Sequence, residues 1–322
     1  MTQIAFIFYP RSSFVKQDYE SLSKDFYVEK IEYNSAKDAA RMIKPIWRSN
    51  IMFSWFASGH SFAAVMLCKI LRKRSVVVAG GYDVAFEPEI NYGQYTLSKH
   101  KRTYADFVLK NADIILAVSE FTQAEVLARA KPKKIMVIYN GVNVDKFKPK
   151  GEKENLVITV ASGSGNVIKL KGLNAFLGAA SQLPNVEFLV LGLSEEEIIE
   201  LESESGENVE LCGYVSHDEL VGFYQRARVY CQLSYRESFG VALAEAMACG
   251  CVPVVTDRGA LPEVVGDTGF YAPYGDETAT SEGIKKALTS DKGAMARKRI
   301  EDKFSMSKRE RELKGLVKSL RS

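Results

Sequence analysis

The chain has 322 residues, of which 46% are hydrophobic and 26% are charged, and its 43 Lys and Arg against 40 Asp and Glu give a net charge of +3. This length favours two domains, and this composition excludes a disordered or fibrous chain, because enough apolar residues are present to bury real cores. The small net charge gives no reason to expect a nucleic-acid partner.

Short β-branched and aromatic runs alternate with segments of helical periodicity in both halves of the chain. The predicted strands are residues 4–9, 27–33, 51–56, 75–80, 114–119 and 134–140 in the first half, and 156–162, 186–192, 209–214, 229–234 and 252–257 in the second. Strands that alternate with helices predict βαβ units and parallel sheets. We therefore expect an α/β protein with two doubly wound, Rossmann-like domains that face a cleft, with ligands at the carboxyl ends of the strands.

The boundary between the domains is predicted near residues 147–154, a charged segment that contains Pro and Gly and has no hydrophobic period. It divides the chain into an N-terminal domain, 1–148, and a C-terminal domain, 149–304. The pattern of residues 305–322 predicts a charged amphipathic helix, which we expect to pack across both domains. Its apolar stripe consists of Leu313, Leu316, Val317 and Leu320.

The sequence lacks features of export or membrane insertion. No segment reaches the roughly 18 uninterrupted apolar residues that a membrane span requires, and no charged region precedes the apolar residues 4–9 as in a secretory signal. Five scattered cysteines argue against a disulfide framework. Cys249 and Cys251 have no second pair of ligands nearby, which favours two core residues over a metal site. We expect a cytoplasmic protein.

The most informative segment is 234–250, which follows a predicted strand and opens a helix at 240–247. The peptide N–H groups of Ser238 to Val241 then point out of a helix N-terminus, which is an anion site. Glu237 lies in the loop, and Glu245, eight residues later, lies about one turn into the helix. Carboxylates there suit sugar hydroxyls, because a charged acceptor makes strong hydrogen bonds. Glu237 as a simple complement to the helix dipole remains the alternative.

In this segment, the two glutamates and the residues around them resemble the Glu-x7-Glu signature of the large retaining glycosyltransferase family called family 4, whose members have the GT-B fold. The likeness continues through residues 213–240 and 252–270. Upstream, residues 118–122 and 137–147 resemble the end of the family's N-terminal domain. The ordered series covers roughly residues 50–310 and is far more specific than a lone pair of glutamates.

The resemblance implies a role for each matching residue. Glu237 corresponds to the glutamate near the transferred sugar, and Glu245 to the one that binds the ribose hydroxyls of the nucleotide. Lys171 corresponds to the lysine that stabilises the leaving diphosphate, where charge develops. The diphosphate cradle is assigned to Ser238, Phe239, Gly240 and Val241.

Two regions depart from the family pattern. The loop after the first strand of the second domain lacks the usual arginine and offers Ser162, Ser164 and Lys169 instead. Lys169 is the predicted substitute in donor binding, although a lysine cannot make a bidentate contact.

The other departure concerns the acceptor side. The family often places a histidine after the fourth strand of the N-terminal domain, where this chain has the turn 80–84 with Gly81 and Asp83. These two residues, and His60 in the preceding βα loop, are the acceptor-side candidates. His100 and His217 are predicted to be surface residues.

The resemblance implies a retaining, metal-independent transfer of a sugar from a nucleotide diphosphate sugar to a hydroxyl acceptor, with no cofactor. Alternatives are an epimerase or phosphorylase of the same fold, or a non-catalytic sugar-nucleotide-binding subunit. Residues 163–168 carry two of three dinucleotide-fingerprint glycines, but the second strand ends in Gly192 instead of an acidic residue, which disfavours a dehydrogenase. No P-loop, HExxH or Gly-x-Ser-x-Gly motif supports kinase-like, zinc-protease or hydrolase chemistry.

Charge divides unevenly between the halves. Residues 1–150 contain 23 Lys and Arg against 14 Asp and Glu, and the remaining 172 contain 20 against 26. Basic stretches at 69–74 and 99–102 suit an anionic lipid surface or an acidic glycan, although a solvated basic face explains them equally well. The expected partners are a nucleotide sugar, a glycan, lipid or small-molecule acceptor, and peripheral contact with an anionic membrane.

Overall fold

The computed structural model describes residues 2–8, 13–35, 38–161 and 166–320. The chain divides into two compact units. Unit 1 comprises Met1–Gly141 and Ser307–Ser322, and unit 2 comprises Val142–Met306. Ser162 and Ser164 of the predicted donor loop, and the glycines at 163 and 165, lie outside the described residues.

Unit 1 contains, in its described part, a six-stranded parallel sheet of order β2-β1-β3-β4-β5-β6. The strands are β1 (Gln3–Phe8), β2 (Tyr27–Glu32), β3 (Ile51–Trp55), β4 (Arg74–Ala79), β5 (Ile114–Ala117) and β6 (Ile135–Val137). The helices are α1 (Ser13–Ser23), α2 (Ala39–Arg48), α3 (Gly59–Leu71), α4 (Lys99–Asn111) and α5 (Glu120–Arg129), with short 3-10 helices at Pro88–Ile90 and Gln94–Thr96. The strand order reverses between β1 and β3, which is the topological switch point.

Two layers of helices cover this sheet. Crossover connections in parallel sheets are right-handed, so a reversal of strand order moves the helices to the other face. Met42 of α2, Val65 of α3 and Val108 of α4 accordingly share one buried cluster. Val15 of α1 belongs to the cluster on the opposite face. The buried strands carry β-branched and aromatic residues because both faces of a parallel sheet are covered.

Unit 2 contains, among its described residues, a six-stranded parallel sheet of order β12-β11-β10-β7-β8-β9. The strands are β7 (Glu154–Val160), β8 (Glu187–Leu191), β9 (Val209–Leu211), β10 (Ala227–Gln232), β11 (Val252–Val255) and β12 (Phe270–Tyr271). The helices are α6 (Val167–Lys171), α7 (Leu173–Ser181), α8 (Glu195–Glu202), α9 (Leu220–Arg226), α10 (Val241–Ala248), α11 (Leu261–Val265), α12 (Glu277–Leu288) and α13 (Lys292–Lys303). This is the nucleotide-binding strand order, with its switch point between β7 and β10.

The eleven predicted strands are confirmed, and the two-residue strand β12 is an addition to them. The first residues of unit 2 lie earlier than the charged segment 147–154 suggested. Val142 donates its N–H to Phe304 O (2.8 Å) and accepts from the N–H of Met306 (2.8 Å). These bonds join the start of unit 2 to its end, across more than 150 residues of sequence.

The last helix, α14 (Met306–Ser319), packs on unit 1. Its apolar stripe is confirmed, because Leu313, Leu316 and Val317 are buried in the same cluster as Val15. Arg309, 3% exposed, donates from Nε and Nη2 to the carboxylate of Asp18 at 2.6 and 2.7 Å. Segment 305–322 was predicted as a separate helix that packs across both domains; from Ser307 onward, its described residues group with unit 1.

Candidate functional site

The switch point of unit 2 is built by three loops that hydrogen-bond to one another. Tyr235, in the loop after β10, donates its N–H to Leu170 O of α6 (2.9 Å). Thr256, after β11, donates its hydroxyl to Ser234 O (2.8 Å). Gly172 admits this close approach, because a Cβ there would lie 2.1 Å from Leu233 O. The loops that follow adjacent strands therefore form one fixed edge, where doubly wound sheets bind ligands.

Lys171 and Glu237 meet at this edge. Lys171 Nζ lies 3.2 Å from Glu237 Oε2, and the two side chains are 15% and 20% exposed. Such a pair is accessible to a ligand yet removed from bulk water, where Coulomb interactions are stronger. The sequence analysis named both residues, and the structure brings them together across 66 positions of sequence.

The glutamate is held from both sides. Gln232, the last residue of β10, lies with Nε2 3.4 Å from Glu237 Oε2 and accepts a hydrogen bond from the Tyr230 hydroxyl (3.1 Å). On the backbone side, Ala260 donates its N–H to Glu237 O (2.9 Å). Gly259 has φ +62, and a Cβ there would lie 2.2 Å from the same oxygen. The loop after β11 therefore fixes the position of Glu237.

The helix that follows Glu237 begins at Val241, one residue later than predicted. Gly240, at φ +86, precedes Val241, the first residue of α10, and it has no side chain that could cap the helix. Phe239 is 2% exposed and packs its ring on Phe304 at 5.5 Å, so only its backbone faces the edge. Ser238 accepts a hydrogen bond from Arg236 Nη1 (3.0 Å). This arrangement leaves the first-turn N–H groups of α10 directed at the site, as an anion cradle requires.

Glu245 lies one turn into α10 and is 3% exposed. His217 Nε2 donates to Glu245 Oε1 at 2.7 Å, and Lys146 Nζ lies 3.4 Å from His217 Nδ1. Burial raises the pKa of Glu245, and the hydrogen bond from His217 opposes this rise. The predicted surface residue His217 is thus a positioning partner of Glu245. No local signal marks it, because the contact spans 28 residues.

Two further cations flank this edge. Lys169 is exposed, and its carbonyl accepts the Tyr274 hydroxyl at 2.7 Å. The guanidinium of Arg258 lies 4.4 Å from the ring centre of Tyr235 and 5.0 Å from that of Tyr274. Arg258 was not among the predicted site residues. Its guanidinium is held beside two aromatic rings in the loop after β11.

In unit 1, Asp83 is 1% exposed and binds backbone groups. Its carboxylate accepts the N–H of Ala57 (2.7 Å), after β3, and that of Gly81 (2.9 Å), after β4. Gly81 has φ +113 and shapes the turn. Burial raises the pKa of Asp83, although these N–H groups stabilise its charged form. Asp83 therefore ties the two neighbouring loops together.

His60 is fully buried in α3. Its Nε2 donates to Trp55 O at 2.6 Å, so Nδ1 accepts from the Ser58 hydroxyl at 2.8 Å. Burial lowers the pKa of His60 to about 4, which keeps the ring neutral. Like Asp83, His60 is a predicted acceptor-side residue that the structure places behind the surface.

A cavity of about 390 Å³ opens in front of these two residues. Its walls combine aromatic rings with cationic or hydrogen-bonding groups, namely Tyr33, Ser58, Gly59, Tyr82, Gln94, Leu97, His100, Lys101 and Tyr104. His100, predicted as a surface residue, is one of these wall residues. Ser58 and Tyr82 follow β3 and β4, so the cavity lies at the carboxyl ends of the strands.

Cys249 and Cys251 are buried core residues. The Cys251 thiol lies 3.1 Å from Tyr224 O and 3.2 Å from Ala227 O. Within the described ranges, no group of three or more His, Cys, Asp or Glu side chains has the arrangement of a metal site. In the same residues, no helix combines the length and the apolar character needed to cross a bilayer.

Two known protein families match this chain. The family described as Glycosyl transferases group 1 matches residues 143–304, which is half of the chain, and Glycosyltransferase Family 4 matches residues 30–146. The chain belongs to the group 1 glycosyltransferase family. The two matched regions together contain Lys171, Glu237 and Glu245 as well as the unit 1 cavity.

Curated relatives of this glycosyltransferase-family protein match it over part of their length and at moderate identity. The capsular polysaccharide biosynthesis glycosyltransferase CapM of Staphylococcus aureus is 32% identical over 224 residues, covering 59% of this chain and 57% of that protein. The D-inositol 3-phosphate glycosyltransferase of Mycobacterium sp. (strain JLS) is 29% identical, covering 62% of this chain and 50% of that protein. The chain thus spans between half and three fifths of the length of these relatives.

Solved structures share the fold. Anabaena Alr3699/HepE, in complex with UDP and glucose, aligns with a TM-score of 0.83 at 16% identity, covering 99% of this chain and all of that one. The sucrose-phosphate synthase of Thermosynechococcus elongatus aligns with a TM-score of 0.79 at 17% identity, covering 99% of each chain. The predicted α/β fold class, with two parallel-sheet units of the GT-B type, is confirmed.

Proposed function

We propose that this chain transfers a sugar from a nucleotide diphosphate sugar to a hydroxyl acceptor with retention of anomeric configuration. The observation that carries the proposal is the Lys171–Glu237 pair at 3.2 Å, placed at the switch point beside the N-terminus of α10. A cation and a helix N-terminus together stabilise a departing diphosphate. The carboxylate accepts hydrogen bonds from sugar hydroxyls.

In this proposal, the bond between the anomeric carbon and the diphosphate oxygen breaks while the acceptor oxygen bonds to the same face of the sugar. The acceptor proton passes to the departing phosphate oxygen, so no side-chain base is needed. Lys171 and the backbone of residues 238–241 stabilise the negative charge that develops on the diphosphate. Glu245, positioned by His217, binds the ribose hydroxyls.

The acceptor occupies the unit 1 cavity. Aromatic side chains such as Tyr82 and Tyr104 offer flat surfaces for a sugar or another partly apolar acceptor, and Gln94 offers hydrogen-bonding groups. His60 and Asp83 act from behind the surface by fixing the loops that form the walls. A glycan, a lipid-linked sugar and a small molecule all remain acceptor classes within the proposal.

The reaction is proposed to be independent of a metal and of any cofactor, because Lys171 and the helix N-terminus supply the positive potential that a divalent cation supplies in other transferases. A chelator tests this point directly. Transfer should proceed at an unchanged rate in EDTA, and a rate restored only by added Mg²⁺ or Mn²⁺ would contradict it. The proposed location is the cytoplasm.

The donor is tested by thermal shift with uridine, guanosine and adenosine diphosphate sugars, since a ligand that binds only the folded state raises its stability. One class should raise the melting temperature, and then serve as the donor in a transfer assay. No shift with any of them contradicts the donor assignment. NMR of the product gives the anomeric configuration, and inversion would contradict the retaining mechanism.

Lys171→Ala should lower kcat by about 100-fold or more, because one donor aimed at developing charge is worth that much. Glu237→Ala should lose transfer to a similar degree. Lys285→Ala, which removes an exposed lysine of α12, is the matched control and should transfer at the wild-type rate. A wild-type rate in Lys171→Ala, with the fold intact by circular dichroism, would overturn the site assignment.

A further inference from the structure

Helices α2 and α3 expose large apolar side chains to solvent. Ile43 and Trp47 of α2 are 48% and 61% exposed, and Met66 and Ile70 of α3 are 41% and 72% exposed. In each helix the two residues are four positions apart, so they lie on one side of it. Together these four side chains define the α2–α3 face.

The four side chains point away from the same sheet. Helices α2 and α3 pack against each other, and both bury their opposite sides in one cluster, through Met42 and Ile46 of α2 and Val65 of α3. Their exposed sides therefore face outward together from one layer. A helix with apolar residues on its outer side as well as its inner side is typical of contact with a further apolar phase.

The charged side chains of α2, of α3 and of the residues that follow α3 up to 74 have one sign. Residues 39–48 and 59–74 contain seven Lys and Arg and no Asp or Glu. These cations are Arg41, Lys44, Arg48, Lys69, Arg72, Lys73 and Arg74. Of them, Arg41 lies 3.1 Å from Asp38, and within the described residues Lys44, Arg48 and Lys73 have no acidic side chain within ion-pair distance.

A basic cavity of about 390 Å³ continues the face at the end of α3. Its walls are Cys68, Lys69, Arg72, Lys73, Arg74, Ser75, Asp113 and Lys133. The carboxylate of Asp113 is already bound, by Lys133 Nζ at 2.8 Å and by Ser75 N–H at 2.9 Å. The cavity lies at the amino ends of β4 and β5, whereas the proposed acceptor cavity lies at the carboxyl ends of the strands. It is therefore separate from the site already described.

An exposed isoleucine in unit 2 has acidic surroundings, in contrast to the basic surroundings of the α2–α3 face. Ile199 of α8 is also 72% exposed, but its helix, Glu195–Glu202, carries five glutamates and no cation. The exposed apolar residues of the α2–α3 face are therefore surrounded by positive charge, whereas the exposed isoleucine of α8 is surrounded by negative charge. Insertion of aliphatic and indole side chains between lipids, surrounded by cations at headgroup level, describes interfacial membrane binding.

We propose that the α2–α3 face binds the surface of an anionic phospholipid bilayer. Ile43, Trp47, Met66 and Ile70 enter the interface, the surrounding Lys and Arg contact the phosphates, and the basic cavity receives a headgroup. The proposal does not depend on the transfer reaction, because binding is measured without donor or acceptor.

The tryptophans provide a direct readout. The chain has two, of which Trp47 is 61% exposed and Trp55 is fully buried, so Trp47 is the one whose surroundings change on binding. The full chain is mixed with vesicles of phosphatidylcholine alone, or of equal parts phosphatidylcholine and phosphatidylglycerol. Only the anionic vesicles should shift the emission to shorter wavelength and carry the protein in flotation. High salt should weaken this binding.

Three exposed-site variants test the face. Ile70→Ser and the pair Lys44→Gln with Lys73→Gln should each bind anionic vesicles about tenfold or more weakly than the wild type. Ile199→Ser, an equally exposed isoleucine in acidic surroundings, should bind like the wild type. Equal recovery with neutral and anionic vesicles, or equal loss in Ile70→Ser and Ile199→Ser, would overturn the proposal. So would a blue shift caused by the protein's own concentration without vesicles, which would indicate self-association.

Discussion

The two units place charged groups at the carboxyl ends of their sheets in opposite ways. In unit 2, Lys171 and Glu237 pair with each other at 15% and 20% exposure. In unit 1, His60 and Asp83 are 0% and 1% exposed, and the Asp83 carboxylate accepts backbone N–H groups. The same position in the same kind of fold thus holds a partly exposed ion pair in one unit and buried structural groups in the other.

Burial and bonding partner decide between these roles. A carboxylate that accepts backbone N–H groups is already satisfied and would leave them unpaired if it moved. A carboxylate whose partner is a partly exposed lysine, as Glu237 is paired with Lys171, can exchange that partner for a ligand that offers it hydrogen bonds. A variant should therefore change stability in unit 1 and ligand binding or transfer in unit 2. Because both tryptophans, Trp47 and Trp55, lie in unit 1, their fluorescence reports the unfolding of that unit alone.

The largest expected effect in this comparison is that of Asp83→Ala. Removal of the carboxylate leaves the buried N–H groups of Ala57 and Gly81 without their acceptor, so the free energy of unfolding of unit 1 should fall by about 3 kcal/mol. Urea unfolding followed by tryptophan fluorescence measures this. Glu237→Ala is the control and should leave the same transition in place. An unchanged midpoint in Asp83→Ala would show that its bonds are not structural.

His60 should make unit 1 sensitive to acid. Its pKa is about 4 in the folded state against 6.5 ordinarily, so between these values the unfolded chain binds a proton that the folded chain does not. Stability due to His60 is therefore complete above pH 6.5 and is lost as the pH falls toward 4, by about 3 kcal/mol in all. His60→Gln should flatten this part of the profile of unfolding free energy against pH. If the unfolding free energies of variant and wild type depend on pH in the same way, His60 is not the source of the acid sensitivity.

The smallest expected effect is in unit 2. His217→Ala deprives the buried Glu245 carboxylate of its donor, which should raise the pKa of Glu245 further and weaken nucleotide binding about tenfold. Calorimetric titration with the nucleotide found by thermal shift measures the Kd. Acidification should weaken binding in the variant at a higher pH than in the wild type. His100→Ala, in unit 1, should leave the Kd unchanged, and an equal change in both variants would contradict the pairing.

Local patterns were sufficient for the fold. Predicted strands such as 51–56 and 75–80 are short apolar runs that the structure buries. The helix predicted at 240–247 begins one residue later, after the glycine at φ +86. The start of unit 2 was harder to place, because Val142 pairs with residues near 305. A contact over that distance leaves no local pattern, whereas charge and Pro or Gly content do.

The predicted site residues come from a continuous motif, whereas contacts made only in the folded chain leave no sequence signal. Glu237, Glu245 and Lys171 were predicted from their sequence surroundings, and the structure places Lys171 and Glu237 3.2 Å apart at the switch point. His217 looked like an exposed polar residue, and only the folded chain shows its bond to Glu245. His60 was a reasonable candidate from its βα loop, but sequence alone does not reveal that its ring is buried.

Because α14 is the last helix of the chain and belongs to unit 1, the two units can complete their folding at different times during synthesis. Unit 2 is one continuous stretch, Val142–Met306, and can complete its core as soon as that stretch leaves the ribosome. Unit 1 starts first, but the layer that covers Trp55 is incomplete until Leu313, Leu316 and Val317 have been translated. The earlier unit is thus the later one to mature, and this partly covered face of its sheet is the surface that a chaperone would meet while unit 2 folds.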